Sequence, residues 1–299
     1  MFYRLKDYVR RLVFDFQIQD VLKVQPVKLD PNSKAVVLTQ LQHKDMRMFL
    51  LACKTFSVRV PISKVYVLSD GSLTLSDKAI LSHHIPGVTF FQLSDFSSTK
   101  CPRGACWERI LAVAELVKEH YVIQLDGDTL ALGELEEVVQ CISTDTSFTL
   151  GTTDNQVIDE MLSCAQNAKA SISGQKPHIQ MLAESHFDKI RDCKNMRYVR
   201  GCAGFAGFSK GSFSREYVEN LSSEMESIVG PRWNEWGTEQ VMSNLVVANS
   251  HSLVLPHPKY SSCEELNRAA PSFVHFIGYC RFNGGAYARH GREAIRALN

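Results

Sequence analysis

Residues 121–130 read YVIQLDGDTL: a mostly apolar run that passes directly into Asp126-Gly127-Asp128. Five residues rich in β-branched and large apolar side chains, with no polar alternation, predict a strand buried on both faces. Two carboxylates leaving such a strand can point into one crevice. There they can hold a hard divalent cation through oxygen, with substrate phosphates completing its shell. Gly127 between them permits close approach of a ligand or of another backbone. Asp-Gly is also common turn punctuation, so the pair alone leaves a turn and a metal site both open.

Working outward, short β-branched runs at 35–40, 64–69 and 88–93 predict three earlier strands, with helical spacing at 44–56, 72–84 and 103–120 between and after them. Downstream, a helix is expected at 132–142 and a strand at 147–150. Strands alternating with helices predict an α/β fold, a mostly parallel central sheet sandwiched by helices. In such sheets ligands sit at the carboxyl ends of strands, where the strand order reverses, and Asp126 and Asp128 occupy such an end. The second half is less regular. Residues 154–198 read as a helical insertion, 197–209 as a glycine-spaced strand region, 212–228 and 238–248 as helices, and 252–255 and 272–277 as short strands.

Composition excludes several classes. The chain has 299 residues, 44% hydrophobic and 22% charged, with 33 Lys plus Arg against 32 Asp plus Glu, a net charge of +1. That balance gives no basis for nucleic-acid binding, which calls for a basic excess. No apolar stretch approaches the roughly 18 residues of a membrane-spanning helix. Arg4, Lys6, Asp7, Arg10 and Arg11 interrupt the N-terminal segment, so no secretory signal is read there. The nine cysteines are scattered and form no CxxC pair, which predicts buried reduced thiols and a cytoplasmic location. Both ends are basic and partly apolar, with Arg289, Arg292 and Arg296 in the tail. An anionic membrane face would attract them, giving peripheral membrane contact; ordinary solvated or docked terminal helices are the alternative.

Two enzyme classes place a carboxylate pair after an apolar strand. In haloacid-dehalogenase-like phosphatases a further aspartate late in the chain completes the metal site, but Asp192 is the last aspartate here. The other class is the metal-dependent nucleotide-sugar glycosyltransferases. The sequence resembles their GT-A fold and, within it, glycosyltransferase family 8, the glycogenin and lipopolysaccharide galactosyltransferase kind. Arg109 lies 17 positions before Asp126 on the preceding helix, like that family's donor-contacting arginine. CAGF at 202–205 stands where the family has an Asn-x-Gly strand motif. Glu239-Gln240 with Asn244 is similar to its (Asp/Glu)-Gln-x-x-x-Asn helix. FVHFIGYCRF at 273–282 is similar to its HxxGxxK motif, through His275, Gly278 and Arg281. Cys202 replaces the family's asparagine, and Arg281-Phe282 replaces Lys-Pro-Trp.

The resemblance implies a single GT-A domain over 1–299. It would comprise a basic amphipathic segment (1–33), a nucleotide-binding half (34–153), the helical insertion, an acceptor-side half with the closing metal motif (199–282) and a basic tail (283–299). It implies Asp126, Asp128 and His275 as ligands of Mn²⁺ or Mg²⁺, the mixed oxygen-and-imidazole set suiting Mn²⁺. Arg281 would pair with phosphate oxygens, Gly278 would let the backbone close over them, and Arg109 would hold the donor sugar or its phosphate. Thr39 and Gln40, and less directly Asp70, end strands where a uracil or other base would bind. Asp126 and Gly127 would touch the donor, and Gly204, with Gly201, Gly207 and Gly211, would let a strand lie close to the sugar. Glu239 and Gln240 are the catalytic candidates beneath the anomeric carbon: Gln240 would orient or stabilise electrostatically in a retaining enzyme, and Glu239 would bind acceptor or, if the enzyme inverts, serve as the base. The implied activity is transfer of a hexose from a UDP-sugar, with retention, to a glycan, lipid-linked or protein acceptor. The alternatives are a catalytically silent GT-A binding module and a nucleotidyltransferase on a related fold. The latter would want a glycine-rich basic loop after the first strand, and LTQLQHKDM at 38–46 supplies none.

Overall fold

The computed structural model describes residues 2–173 and 176–299, with side chains described for Lys6 and, within those spans, from Tyr8 onward. The Arg4 and Asp7 side chains, part of the basic head, lie outside the described residues. The first half of the chain runs α1 (Phe2–Gln17), β1 (Ala35–Leu41), α2 (Met46–Ser57), β2 (Lys64–Ser69), α3 (Leu75–His84), β3 (Thr89–Gln92), α4 (Trp107–Leu116), β4 (Tyr121–Leu125), β5 (Thr129–Ala131), α5 (Glu136–Ser143) and β6 (Ser147–Leu150). Then come β7 (Asp159–Glu160), α6 (Met161–Ser171), α7 (Ile179–Glu184), β8 (Arg197–Tyr198), β9 (Cys202–Phe208), α8 (Arg215–Val229), α9 (Thr238–Ala248), β10 (Ser252–Leu255), β11 (Tyr260–Ser262), β12 (Phe273–His275) and α10 (Ala286–Ala297). The alternation expected from the sequence is present. The central sheet has seven strands in the order β10-β6-β9-β4-β1-β2-β3.

The chain divides into two compact units. The first comprises Met1–Gln92, Gln124–Gln140 and Pro256–Asn299. In it β1 pairs parallel with β2, and β2 with β3, each connection passing through a helix as a parallel pair requires. Helix α2 is covered nearly all round: every side chain from Met46 to Phe56 except Arg47 is buried, most of them apolar and Lys54 and Thr55 the polar exceptions. Helix α3 starts at Leu75 rather than at 72. Asp70 Oδ1 takes hydrogen bonds from the backbone and hydroxyl of Ser72 (2.9 and 2.6 Å), closing a turn, and a capping box between Thr74 and Asp77 then begins the helix. A small sheet, ordered β11-β12-β5, completes this unit; β5 and β11, three residues each, are too short to show a strand pattern in the sequence.

The second unit comprises Leu93–Ile123 and Cys141–Leu255. Here β10 runs parallel to β6, while β9 pairs antiparallel with β6 through Phe148↔Gly207 and Thr149↔Ala206. Helix α4 begins later than its periodicity predicts. Gly104, Ala105 and Cys106 precede it at φ of +76°, +47° and +72°, outside right-handed helical space. Residues 154–198 hold α6 and α7 and also the two-stranded ribbon β7-β8.

One cysteine pair departs from the all-thiol reading. Cys263 and Cys280 are joined in a disulfide, their Cα atoms 6.4 Å apart. Their 17-residue separation carries no pairing signal by itself; the turn after β12 brings them together. The other seven cysteines are free.

Candidate metal centre

The centre is built within the first unit, from the turn between β4 and β5 and the end of β12. Thr129 Oγ1 donates to the Asp126 carbonyl (2.9 Å), bracing the Asp-Gly-Asp turn. Strand β12 lies antiparallel to β5 with His275 opposite Thr129, and the Phe276 N–H donates to the Asp128 carbonyl at 2.8 Å. That register sets the imidazole beside the second carboxylate. His275 Nε2 lies 3.2 Å from Asp128 Oδ1 and 3.9 Å from Asp126 Oδ2. One ligand atom from each of the three residues falls within 4.8 Å of the others. Asp128 and His275 are buried and Asp126 is partly open to solvent.

This donor set fits a divalent cation. Around an ion bound at about 2.0–2.2 Å, adjacent ligand atoms sit roughly 3 Å apart and opposite ones roughly 4 Å, a range that includes the 3.2 and 3.9 Å separations of His275 Nε2 from the two carboxylates. One ring nitrogen faces both carboxylates, so Nε2 can turn its lone pair to a metal once its proton is gone. Gly127 presses against α2, where an added Cβ would lie 3.4 Å from Phe49 Cβ. Its carbonyl accepts from Tyr287 Oη at 3.2 Å, and the Tyr287 ring stacks on Phe276 with centroids 4.1 Å apart. Phe49, Phe276 and Tyr287 therefore hold the turn. Sequence reasoning missed all three, since Tyr287 lies in what reads only as a basic tail.

Burial alone would raise the Asp128 carboxyl. The charge and hydrogen bond of His275 and the charge of Arg281 outweigh it and hold the group well below the usual carboxylate range. Arg281 donates through Nη2 to Asp128 Oδ2. Its guanidinium, whose affinity for its proton burial would weaken, is held protonated by Asp128 and Asp45. Gly278 lies between His275 and Arg281 in sequence, and an added Cβ there would meet nothing within 4 Å.

At the carboxyl end of β1, Thr39 Oγ1 and Gln40 Oε1 are buried without a hydrogen-bond partner. Alternation along a strand aims the two side chains at opposite faces, and Gln40 is the half-exposed one. Asp70 is engaged in its turn with Ser72.

The remaining candidates lie in the second unit. Arg109, on α4, is buried and pairs with Glu239 on α9 (Nη2–Oε2, 3.1 Å). Gln240 is half-buried, its Nε2 3.4 Å from Gln180 Oε1. Asn244 Nδ2 donates to the Gly201 carbonyl at 3.1 Å. Gly204 is buried within β9. For two of its companions the close neighbour is protein. A Cβ at Gly201 would lie 3.0 Å from Asn244 Oδ1, and one at Gly207 would lie 2.7 Å from Tyr121 Oη. Trp233 is fully buried against Trp107, while Trp236 is 72% exposed.

The architecture and the placement of the acidic turn after β4 define a GT-A glycosyltransferase fold. Among solved structures, the chain is similar to the bifunctional glycosyltransferase WbbM (TM-score 0.55, 14% identity over 91% of this chain and 50% of that one). It is also similar to an active-site mutant of LgtC (0.50, 13%, covering 88% and 95%) and to the glycosyltransferase GlyE of Streptococcus pneumoniae TIGR4 (0.50, 13%, covering 88% and 62%). The chain spans half the length of WbbM. No family model matches the sequence, and no curated protein matches it.

Proposed function

We propose that this chain is a metal-dependent glycosyltransferase that moves a hexose from a nucleotide sugar to a carbohydrate-type acceptor. The observation that carries the reading is the Asp126–Asp128–His275 cluster at the end of β4 in a GT-A fold. A bound divalent ion would neutralise the diphosphate leaving group, which is the principal electrostatic demand of the reaction. Asp126, Asp128 and His275 would hold it, with Mn²⁺ favoured over Mg²⁺ by the imidazole. Arg281 would exchange the Asp128 carboxylate for phosphate oxygens, for which a guanidinium fork is well matched.

A UDP-sugar is the proposed donor. Uracil presents one N–H between two carbonyls, and Gln40 Oε1 is an acceptor without a partner. Retention is proposed because Glu239 is committed to Arg109 and so is not poised as the base that inversion needs. Gln240 would then orient the sugar or stabilise charge at the anomeric carbon. Acceptors of glycan, lipid-linked or protein type all remain within the reading. A cytoplasmic location accords with the seven free thiols, and the Cys263–Cys280 bond is the feature that favours an oxidising compartment instead.

The test is a screen of nucleotide sugars for Mn²⁺-dependent hydrolysis and transfer. A donor turned over by the native chain, with loss of turnover in Asp128→Ala and His275→Ala, is the expected result. Undiminished turnover in both variants would overturn the metal assignment. Binding of UDP with Mn²⁺ but no turnover of any donor would favour the silent-module alternative.

A further inference from the structure

Helix α1 is anchored by one face only. Phe14 is 3% exposed and packs on Phe282 and Tyr287 with ring centroids 5.3 and 4.5 Å away. Arg11 reaches inward to Asp45 at 2.6 Å. These contacts fix the rotation of the helix and so decide what its other face shows. Tyr8, Val9, Leu12, Val13 and Phe16 are 58, 51, 49, 49 and 70% exposed. Val9, Leu12, Val13 and Phe16 follow the i, i+3, i+4, i+7 spacing of one helical stripe, with Tyr8 one turn before Leu12. No other helix in the described residues leaves so many large apolar side chains open.

Among the described residues the exposed charges beside this stripe are of one sign, while Asp15, at its other edge, is half-buried and balanced by Arg11 and Arg47. Lys6 and Arg10, one turn apart, are exposed along its edge beside Val13. Helix α10, which meets α1 through Tyr287, adds exposed Arg289 and Arg296. Its exposed acid, Glu293, is paired with His290 at 3.1 Å. An apolar helical face edged by cations matches the boundary of a bilayer with anionic headgroups, where side chains enter the acyl region and Lys and Arg meet phosphates. No helix in the described residues is long and apolar enough to cross a membrane, so α1 would lie on the surface.

We infer that the outer face of α1, with the basic edge shared by α10, docks the protein on an anionic phospholipid bilayer. The occupant is lipid rather than a second copy of this chain, because the stripe is edged by cations, which repel when two copies meet face to face and which anionic headgroups neutralise. The inference rests on the first unit alone and does not depend on the glycosyltransferase reading.

Flotation of the full chain with vesicles tests it. The native chain should bind phosphatidylglycerol/phosphatidylcholine vesicles, bind pure phosphatidylcholine much less, and be released by added salt. Leu12→Glu with Phe16→Glu should lower binding at least about tenfold, and Lys6→Glu with Arg10→Glu should abolish the preference for phosphatidylglycerol. Because all four side chains are exposed, the variants should keep the native melting temperature and Mn²⁺ binding, which separates lost docking from lost folding. Equal binding of native and variant proteins would overturn the inference. So would failure of the native chain to float with anionic vesicles. A dimer dispersed by Leu12→Glu, without lipid binding, would assign the face to a second copy and overturn it too.

Discussion

Arg281 Nη2 and Asp128 Oδ2 form an ion pair, while His275 Nε2 lies 3.2 Å from the other oxygen of the same carboxylate. Both oxygens of Asp128 are thus already engaged, and a divalent ion arriving there must displace the guanidinium. Replacing Arg281 by Met should therefore raise Mn²⁺ affinity in the absence of nucleotide, by up to about tenfold for one neighbouring charge at an effectively screened site. The same variant should bind UDP in the presence of Mn²⁺ more weakly. Paramagnetic resonance titrations with and without UDP read both; an unchanged metal affinity would show that Arg281 does not compete.

The metal ligands should be unequal. Asp128 and His275 are buried and Asp126 is partly solvated, so removing either buried ligand takes away a preorganised donor. Asp128→Asn and His275→Ala should each weaken Mn²⁺ binding by about a hundredfold or more, and Asp126→Asn by less. Equal losses in all three would mean that burial does not rank the ligands.

Arg109 and Glu239 form an ion pair with side chains 6 and 4% exposed. Arg109→Met leaves a buried carboxylate facing an apolar chain, which typically costs about 3–5 kcal/mol. The expected outcome is a marked fall in denaturation midpoint. A variant as stable as the native chain would contradict the pairing and return Arg109 to a purely ligand-directed role.

Gly207 has no room for a side chain: a Cβ would strike the Phe148 ring and lie 2.7 Å from Tyr121 Oη. Gly207→Ala should destabilise the fold by about 1–3 kcal/mol through overpacking, measured by urea unfolding. Gly278→Ala, with open space around its Cβ, should leave stability within about 0.5 kcal/mol.

Lys54 is 2% exposed, donates to the Val24 and Gln25 carbonyls, and faces His84 Nδ1 at 3.2 Å. Burial pushes its amine from 10.5 down to about 8, and burial with the charges of Lys54 and His83 pushes His84 from 6.5 to about 4. Between each pair of values the unfolded chain holds a proton that the folded chain has lost, so raising the pH stabilises the fold. Melting temperature should therefore gain a rising contribution from about pH 4 to 6.5 and another from about pH 8 to 10.5. The Lys54→Met protein should lack the upper rise. Persistence of that rise in the variant would assign it to another group.

The alternating strands and helices are legible in the sequence because each is a local pattern: a β-branched run buried on two faces, or an apolar stripe at helical period. The acidic turn is legible for the same reason, since Asp126 and Asp128 directly follow β4. Element starts are less so, because Asp70, Ala105 and Cys106 impose turn geometry that periodicity does not register. Strand β5 is too short, at three residues, to stand out beside the turn.

What the chain alone determined is the order of elements, the carboxylate pair at a strand's end and a histidine far downstream in suggestive company. What the tertiary structure decided is which of these meet. His275 and Asp128 are separated by 147 residues, and only the antiparallel register of β12 on β5 sets them side by side. The same is true of Arg109 with Glu239, and of the α1 face left uncovered once Phe14 has docked. Side-chain chemistry is written residue by residue, but contact between distant segments depends on backbone pairing and packing that no single stretch of sequence carries.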